Sequence, residues 1–394
     1  MKRVLFVISI LIAVAIIAFV LLNSQQPPQL SAAIVGLQAN DSMVGYARAT
    51  NVRPFKFPDD HGPHPDFQTE WWYYTGNLES ADGRRFGYQL TFFRRAITPP
   101  STAAQGATPR ATDWATNQIY FAHFALTDAK NNRHDATERF SRGAANLAGA
   151  SGTPFRVWIE NWSVETQNFA SLPSDASSMQ LRADNEGRSI NLTLTSSKPP
   201  VLQGNRGLSA KSDEPGNASY YISFTRMKTS GTVTVNGEQL QVSGDSWMDH
   251  EWSTAALGPN AVGWDWFSIQ LSDNRELMLF QIRNKDGSIE PVSSGTLVEP
   301  DGTTHYLPRD QFKIVVPSTW TSNTTRATYP ARWSVAVPSA NIQIDLKPIV
   351  ADQEMILSIV YWEGAVDISG QSNGKPVTGR GFVEMTGYAK ISGQ

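Results

Sequence analysis

The chain has no cysteine, which removes at once a disulfide framework, an iron–sulfur cluster, a thiol nucleophile, thiolate-bound zinc and the lipid-bearing cysteine of a lipoprotein. An excess of charge of one sign is lacking as well. The net charge is -3 over 394 residues and the basic residues are scattered, so the footprint of a nucleic-acid binder is missing. The strand–helix alternation that would mount a serine nucleophile elbow is missing, which removes the α/β type of serine hydrolase. Long helical periodicity is not evident either.

One long apolar run is there. Val4 to Leu22 is broken only by Ser9 and preceded by Lys2 and Arg3, and basic residues then vanish until Arg48. A run of that length spans a bilayer, and the charge bias keeps its N-terminus cytoplasmic. The expected organisation is a transmembrane anchor or signal sequence (1–22) and a polar linker (23–54), with everything after it facing outward, inner-membrane anchored and periplasmic. Ser31-Ala32-Ala33 offers small residues for cleavage, in which case the protein is secreted.

From Phe55 onward short alternating segments take over. Tyr88-Gln-Leu-Thr-Phe-Phe, Asn191-Leu-Thr-Leu-Thr, Gln239-Leu-Gln-Val and Asn341-Ile-Gln-Ile-Asp-Leu repeat with period two, and Asn236-Gly237 and Asn373-Gly374 sit where hairpins would turn. Twelve tryptophans reinforce the β reading. Two stretches read as loop-like insertions, Ala96 to Thr116 and the Gly/Ala-rich Ser141 to Thr153.

An internal repeat sets the domain count. Trp71-Trp-Tyr-Tyr-Thr75-x-x-Leu78 matches Trp264-Asp-Trp-Phe-Ser268-x-x-Leu271. Gly231-x-Val-x-Val-x-Gly237 with Val242-Ser-Gly244-x-x-Trp-Met-Asp249 matches Gly364-x-Val-x-Ile-x-Gly370 with Val377-Thr-Gly379-x-x-Phe-Val-Glu384. The chain is expected to be all-β, with two antiparallel barrel domains, 55–250 and 251–394, arising by duplication.

Chemistry concentrates in two places. Phe57-Pro-Asp-Asp-His61-Gly-Pro-His64 runs on to Glu70-Trp71-Trp72-Tyr73-Tyr74, and Asp249-His250-Glu251-Trp252 repeats the mixture at the predicted junction. The second copy has Glu384-Met385-Thr386-Gly387 in the latter position, so histidine and tryptophan occupy one of two equivalent sites. The two segments are expected to converge. His61, His64 and His250 suit acid/base work near neutral pH; hydrogen-bonded structural roles, or ligation of a divalent metal with nearby carboxylates, are the alternatives, although no metal signature is matched. Strand parity puts Trp71 and Tyr73 on one face and Glu70, Trp72 and Tyr74 on the other, without saying which face is inside. An inward Glu70 would be a proton donor, an outward one a surface ion-pair partner. Asp265, between Trp264 and Trp266, poses the same question. His123, His134 and His305 have no partner pattern and read as structural.

Phe57 to Leu78, Asp245 to Ser253, Tyr361-Trp-Glu-Gly-Ala-Val366 and Gly379-Arg-Gly-Phe-Val-Glu-Met-Thr-Gly-Tyr388 together resemble the AttH and carotenoid 1,2-hydratase (hydroxyneurosporene synthase) family of lipocalin-like predicted secreted hydrolases. The resemblance implies two lipocalin-like barrels. Its hydratase branch adds water across the terminal double bond of an acyclic carotenoid with no redox cofactor. That reaction needs a strong proton donor, an apolar tunnel and aromatic faces for a tertiary cation. His250, Glu70, Asp249 or Asp265 beside Trp71 and Trp252 would supply them. The branch's acidic residue maps onto either Asp265 or Asp249, and the exported chain resembles the AttH branch more than the pigment enzymes.

The resulting expectation is an anchored double barrel that hydrates or hydrolyses an apolar isoprenoid or lipid at the domain interface, with no cofactor or metal. His250 would be the principal acid/base, with Glu70, Asp265 or Asp249 as carboxyl partner, His61 and His64 as orienting groups, and Trp71, Trp72, Tyr73, Trp252, Trp264 and Trp266 as walls. The rival is a tethered, non-catalytic carrier that hands a hydrophobic ligand to an envelope ABC transporter.

Overall fold

The computed structural model describes residues 43–100, 112, 114–168, 177–254 and 257–389. The anchor expected at 1–22, most of the linker and much of the Ala96 to Thr116 insertion lie outside these residues. Among those described, no helix is long and apolar enough to cross a membrane.

The alternating segments are strands because one face of each is buried. Leu192 and Leu194 point into the core while Asn191 stands in solvent. Asn236 and Gly237 turn a hairpin with φ of 53° and 80°, the left-handed pair that a tight two-residue turn requires. Ala148–Gly152, expected as loop, is instead an edge strand. Its glycine misled: the Trp158 ring lies where a Gly149 side chain would be, 2.6 Å from an added Cβ, so the glycine serves packing.

The described strands form two sheets. In the first, neighbours follow one another up and down, and Thr69–Ser80 pairs with the sheet's last strand, Glu238–Ser253. The edge strands Arg133–Arg142 and Ala148–Gly152 are consecutive in the chain and share no ladder. Arg139 spans the gap, its guanidinium 4.3 Å from the Trp162 ring centroid, and the barrel is nearly closed. Its interior is filled by Trp72, Tyr74, Phe86, Phe92, Phe124 and Trp162.

The second sheet runs from Thr304–Pro308 through Ala261–Leu271 and Lys375–Met385 to Lys313–Thr321. It is a half-barrel, which corrects the expectation of two closed barrels. Most side chains of Lys313–Thr321 are exposed, Val315 and Val316 among them, and from that edge Ile314 and Trp320 pack against the second core.

The two sheets repeat one register. Tyr73 lies opposite Asp249 in the first, and Trp266 opposite Glu384 in the second. One part of the sequence repeat was misaligned. Gly231 lies opposite Val242 and Gly370 opposite Val377, so Gly231 corresponds to Gly370 and not to Gly364. The hairpin between Gly231 and Val242 is longer than the one between Gly370 and Val377, which hides this from a linear comparison.

The sheets meet outer face to outer face with a two-fold pattern. Asn77 Nδ2 donates to the Gly381 carbonyl at 3.0 Å, and Gln270 Nε2, at the position equivalent to Asn77, donates to the Ser246 carbonyl at 3.0 Å. Between those faces lies a cavity of about 230 Å³.

Candidate functional site

Strand parity divides the two chemistry-bearing segments between compartments. Along Thr69–Ser80, Trp71 and Tyr73 line the cavity between the sheets, whereas Trp72 and Tyr74 belong to the first barrel's core. Register carries the division to the neighbouring strand. Asp249 and Glu251, opposite Tyr73 and Trp71, line the cavity; His250 and Trp252, opposite Trp72 and Glu70, face the other way.

On the barrel side the expected convergence takes place. Glu70 is 0% exposed, and its Oε1 accepts from His64 Nδ1 and His250 Nε2, both at 2.8 Å, while Oε2 accepts from Arg94 Nε at 2.8 Å. Burial works to raise the Glu70 pKa, but Arg94 and the two imidazoles outweigh it and hold the carboxyl well below its ordinary range. His64 also reaches Asp60 Oδ1 through Nε2 at 3.2 Å. Burial opposes its charge, yet Asp60 and Glu70 raise its pKa, and both ring nitrogens donate. The Trp252 ring covers it face to face at 3.7 Å. Burial lowers His250 to about 4, so it is neutral with its proton on Nε2. His61 lies between Phe57 and Phe224, lowered to about 3 by burial and by His250.

His64, Glu70 and His250 offer ligand atoms within 4.8 Å of one another. A divalent ion there would have to replace two hydrogen bonds made to one carboxylate oxygen and sit beside the Arg94 guanidinium. The donor set fits a hydrogen-bonded structural cluster better than a metal centre.

The cavity has a different character. One cross-strand row, Ser223, Asp249, Tyr73, Thr91 and His123, runs over five adjacent strands of the first sheet. The equivalent row of the second sheet is Glu363, Glu384, Trp266 and Phe280. The rows are bonded to each other: Tyr73 Oη donates to Glu363 Oε1 at 2.6 Å, and Trp266 Nε1 donates to Tyr221 Oη at 3.0 Å. Asp249 accepts from Tyr221 Oη at 2.7 Å, Ser223 Oγ at 2.5 Å and Trp247 Nε1 at 2.7 Å.

Among the described residues no cation bonds to Asp249. Burial raises its pKa to about 7 against the pull of its three donors. Burial also raises Glu384 and Glu363, opposite one another in the second sheet. Trp264 Nε1 donates to Glu384 Oε1 at 2.6 Å, and Lys211 pairs with Glu251 at 2.7 Å. Chemically this is a mostly aromatic chamber with carboxyl groups whose hold on a proton burial strengthens.

The structure thus brings together Glu70, His61, His64, His250, Trp72 and Trp252 behind the cavity wall, and Asp249, Trp71, Tyr73, Trp264 and Trp266 on it. Asp265 belongs to neither group. It occupies the register position of Trp72 in the second sheet and bonds Arg283, Gln281 and Tyr388, each at 3.0 Å. Burial raises its pKa against those partners. Sequence reasoning missed Tyr221, Tyr361 and His123 as cavity groups. Tyr361 stood inside a quoted motif, and the Gln89 and Thr91 alternation marked a shared face without saying what that face meets.

Residues 48–388 match the AttH-like family. The chain belongs to that family. This AttH-like chain is 33% identical to an AttH protein from Nitrosomonas europaea whose crystal structure has a TM-score of 0.74 to it, covering 87% of this chain and 100% of that one. Kievitone hydratase from Nectria haematococca shares the fold at 16% identity and a TM-score of 0.63, covering 87% and 96%. The dehydratase asqC from Emericella nidulans is 22% identical over 226 residues, 52% of this AttH-like chain. The chain spans 60% of that curated relative's length.

Proposed function

We propose that this AttH-like protein catalyses acid-driven hydration, or the reverse dehydration, of a carbon–carbon double bond in a largely apolar small molecule held between the two sheets. Asp249 carries the reading: a buried, protonated carboxyl on an aromatic chamber, with a pKa near the pH at which it would work. Its proton goes to one alkene carbon. The cation left on the neighbouring carbon lies among the faces of Trp264, Trp266 and Tyr73. Water adds to that carbon and its proton returns to the Asp249 carboxylate, so atoms and charge balance. In the dehydrating direction the same carboxyl protonates the leaving hydroxyl. Relatives named as a hydratase and a dehydratase support this reaction class. Hydrolysis, the other reaction anticipated, would use the acid without needing the cation-stabilising rings.

The Glu70, His64 and His250 cluster takes a positioning role here. It locks the Glu238–Ser253 strand, on whose other face Asp249 stands. The matched rows support descent by duplication of a lipocalin-like unit divided near 250, and the apolar run at 4–22 supports an anchored, outward-facing protein. A carrier that hands its ligand to an envelope transporter would need the same chamber and no acid; the raised pKa of Asp249, buried on the chamber wall, favours chemistry.

The test is incubation with a panel of isoprenoid alkenes and tertiary alcohols in ¹⁸O-labelled water, read by mass spectrometry. Label incorporation by the native protein and its loss in Asp249→Asn is the expected result. Ligand uptake without label in either protein would favour the carrier.

A further inference from the structure

The cavity row continues past the acid to an end with unmet polar groups. His123 lines the cavity, 1% exposed. Its Nδ1 is 2.8 Å from the Tyr361 hydroxyl, and its Nε2 has no hydrogen-bond partner. The Glu138 oxygen nearer that nitrogen stands 3.7 Å off and accepts from Ser358 Oγ. Burial lowers His123 to about 3, so the ring is neutral and carries one proton. Tyr361 keeps its own proton, raised well above its ordinary value by burial and by Glu363 and Glu384, and Nδ1 is an acceptor within its reach. The imidazole proton then sits on Nε2, as an unsatisfied donor. One strand away Gln89 also lines the cavity. Its Nε2 donates to Thr91 Oγ1, and its Oε1 is without a partner. Gln89 lies diagonally across from His123, since Thr91 is directly opposite it.

These two groups, on neighbouring strands at one end of the cavity and both closed off from solvent, are an unmet donor and an unmet acceptor, and a hydroxyl is the chemical group that accepts from the first and donates to the second. Phe93, Phe121 and Ile359 supply the rest of this end. His123 is three strands from Asp249 along the row, about 14 Å at the usual strand spacing.

We propose that Gln89 and His123, braced by Tyr361, form a specificity station for a hydroxyl at the far end of an elongated, otherwise apolar substrate whose reacting carbons lie at Asp249. This rests on the cavity being the substrate site and names the class of molecule: a long isoprenoid or alkyl chain with a terminal oxygen, and not a pure hydrocarbon.

Binding of farnesol and of farnesene, which share a skeleton and differ in the terminal hydroxyl, tests it through quenching of tryptophan fluorescence. The native protein is expected to prefer farnesol by about tenfold. His123→Phe and Gln89→Leu are each expected to erase that preference while farnesene binding persists, and His123→Gln, which keeps a donor, to retain part of it. Should His123→Phe fail to fold, the near-isosteric Gln89→Leu carries the comparison. A native protein that shows no preference, or variants in which the preference survives, would overturn the station. Because the readout is binding, activity or inactivity of Asp249→Asn leaves the outcome unaffected.

Discussion

Asp249 and His250 are neighbours in the chain and face opposite compartments. His250 Nε2 bonds Glu70 inside the first barrel, while the Asp249 carboxyl accepts from Tyr221, Ser223 and Trp247 on the cavity between the sheets. On the proposed function the two residues divide the labour, one holding the strand and the other presenting a proton.

If Asp249 is the acid, Asp249→Asn lowers turnover by about 10²–10⁴-fold while ligand binding stays within a few-fold of native. The native rate falls as pH rises through about 7, because the carboxyl must be protonated to act. A pH–rate profile from pH 5 to 9 reads both effects; an unchanged descending limb in the variant would remove Asp249 from the reaction.

Glu70→Gln leaves the Arg94 guanidinium buried beside a neutral amide, which costs about 3–5 kcal/mol in denaturant unfolding near pH 6. Glu70 has a depressed folded pKa, so its contribution is present above its ordinary value of 4.5 and lost as pH falls below that value. The gap between native and variant stability is therefore expected to narrow steadily under acid. A gap that widened there would contradict the ion-pair account.

Gln270→Ala removes the amide that caps the Thr225 and Ser246 carbonyls across the interface. The expected loss is about 1–3 kcal/mol, read as a lower unfolding midpoint with unchanged slope. A neutral result would mean that the two-fold amide contacts are not what joins the sheets.

Much of the fold was legible before any coordinates. Alternation located the strands, Asn236-Gly237 placed a hairpin, and the Trp71 and Trp264 motifs marked equivalent strands. Convergence of Glu70, His64 and His250 was legible because imidazoles and carboxyls rarely crowd two short segments without meeting. The compartment was not. Period two tells which side chains share a face but not what that face meets, so His250 was assigned to the cavity when its neighbour Asp249 lines it. His123 stayed hidden for a related reason: its partners Tyr361 and Gln89 are brought to it by pairing and docking of sheets, which leave no mark at fixed spacing.

The location of the ligand tests all of this most directly. In a crystal structure of the protein soaked with farnesol, density is expected between the two sheets, bounded by Tyr73 and Trp266, with the hydroxyl at Gln89 and His123. Density inside the first barrel against His250 and Glu70 would contradict the assignment of the cavity as the site.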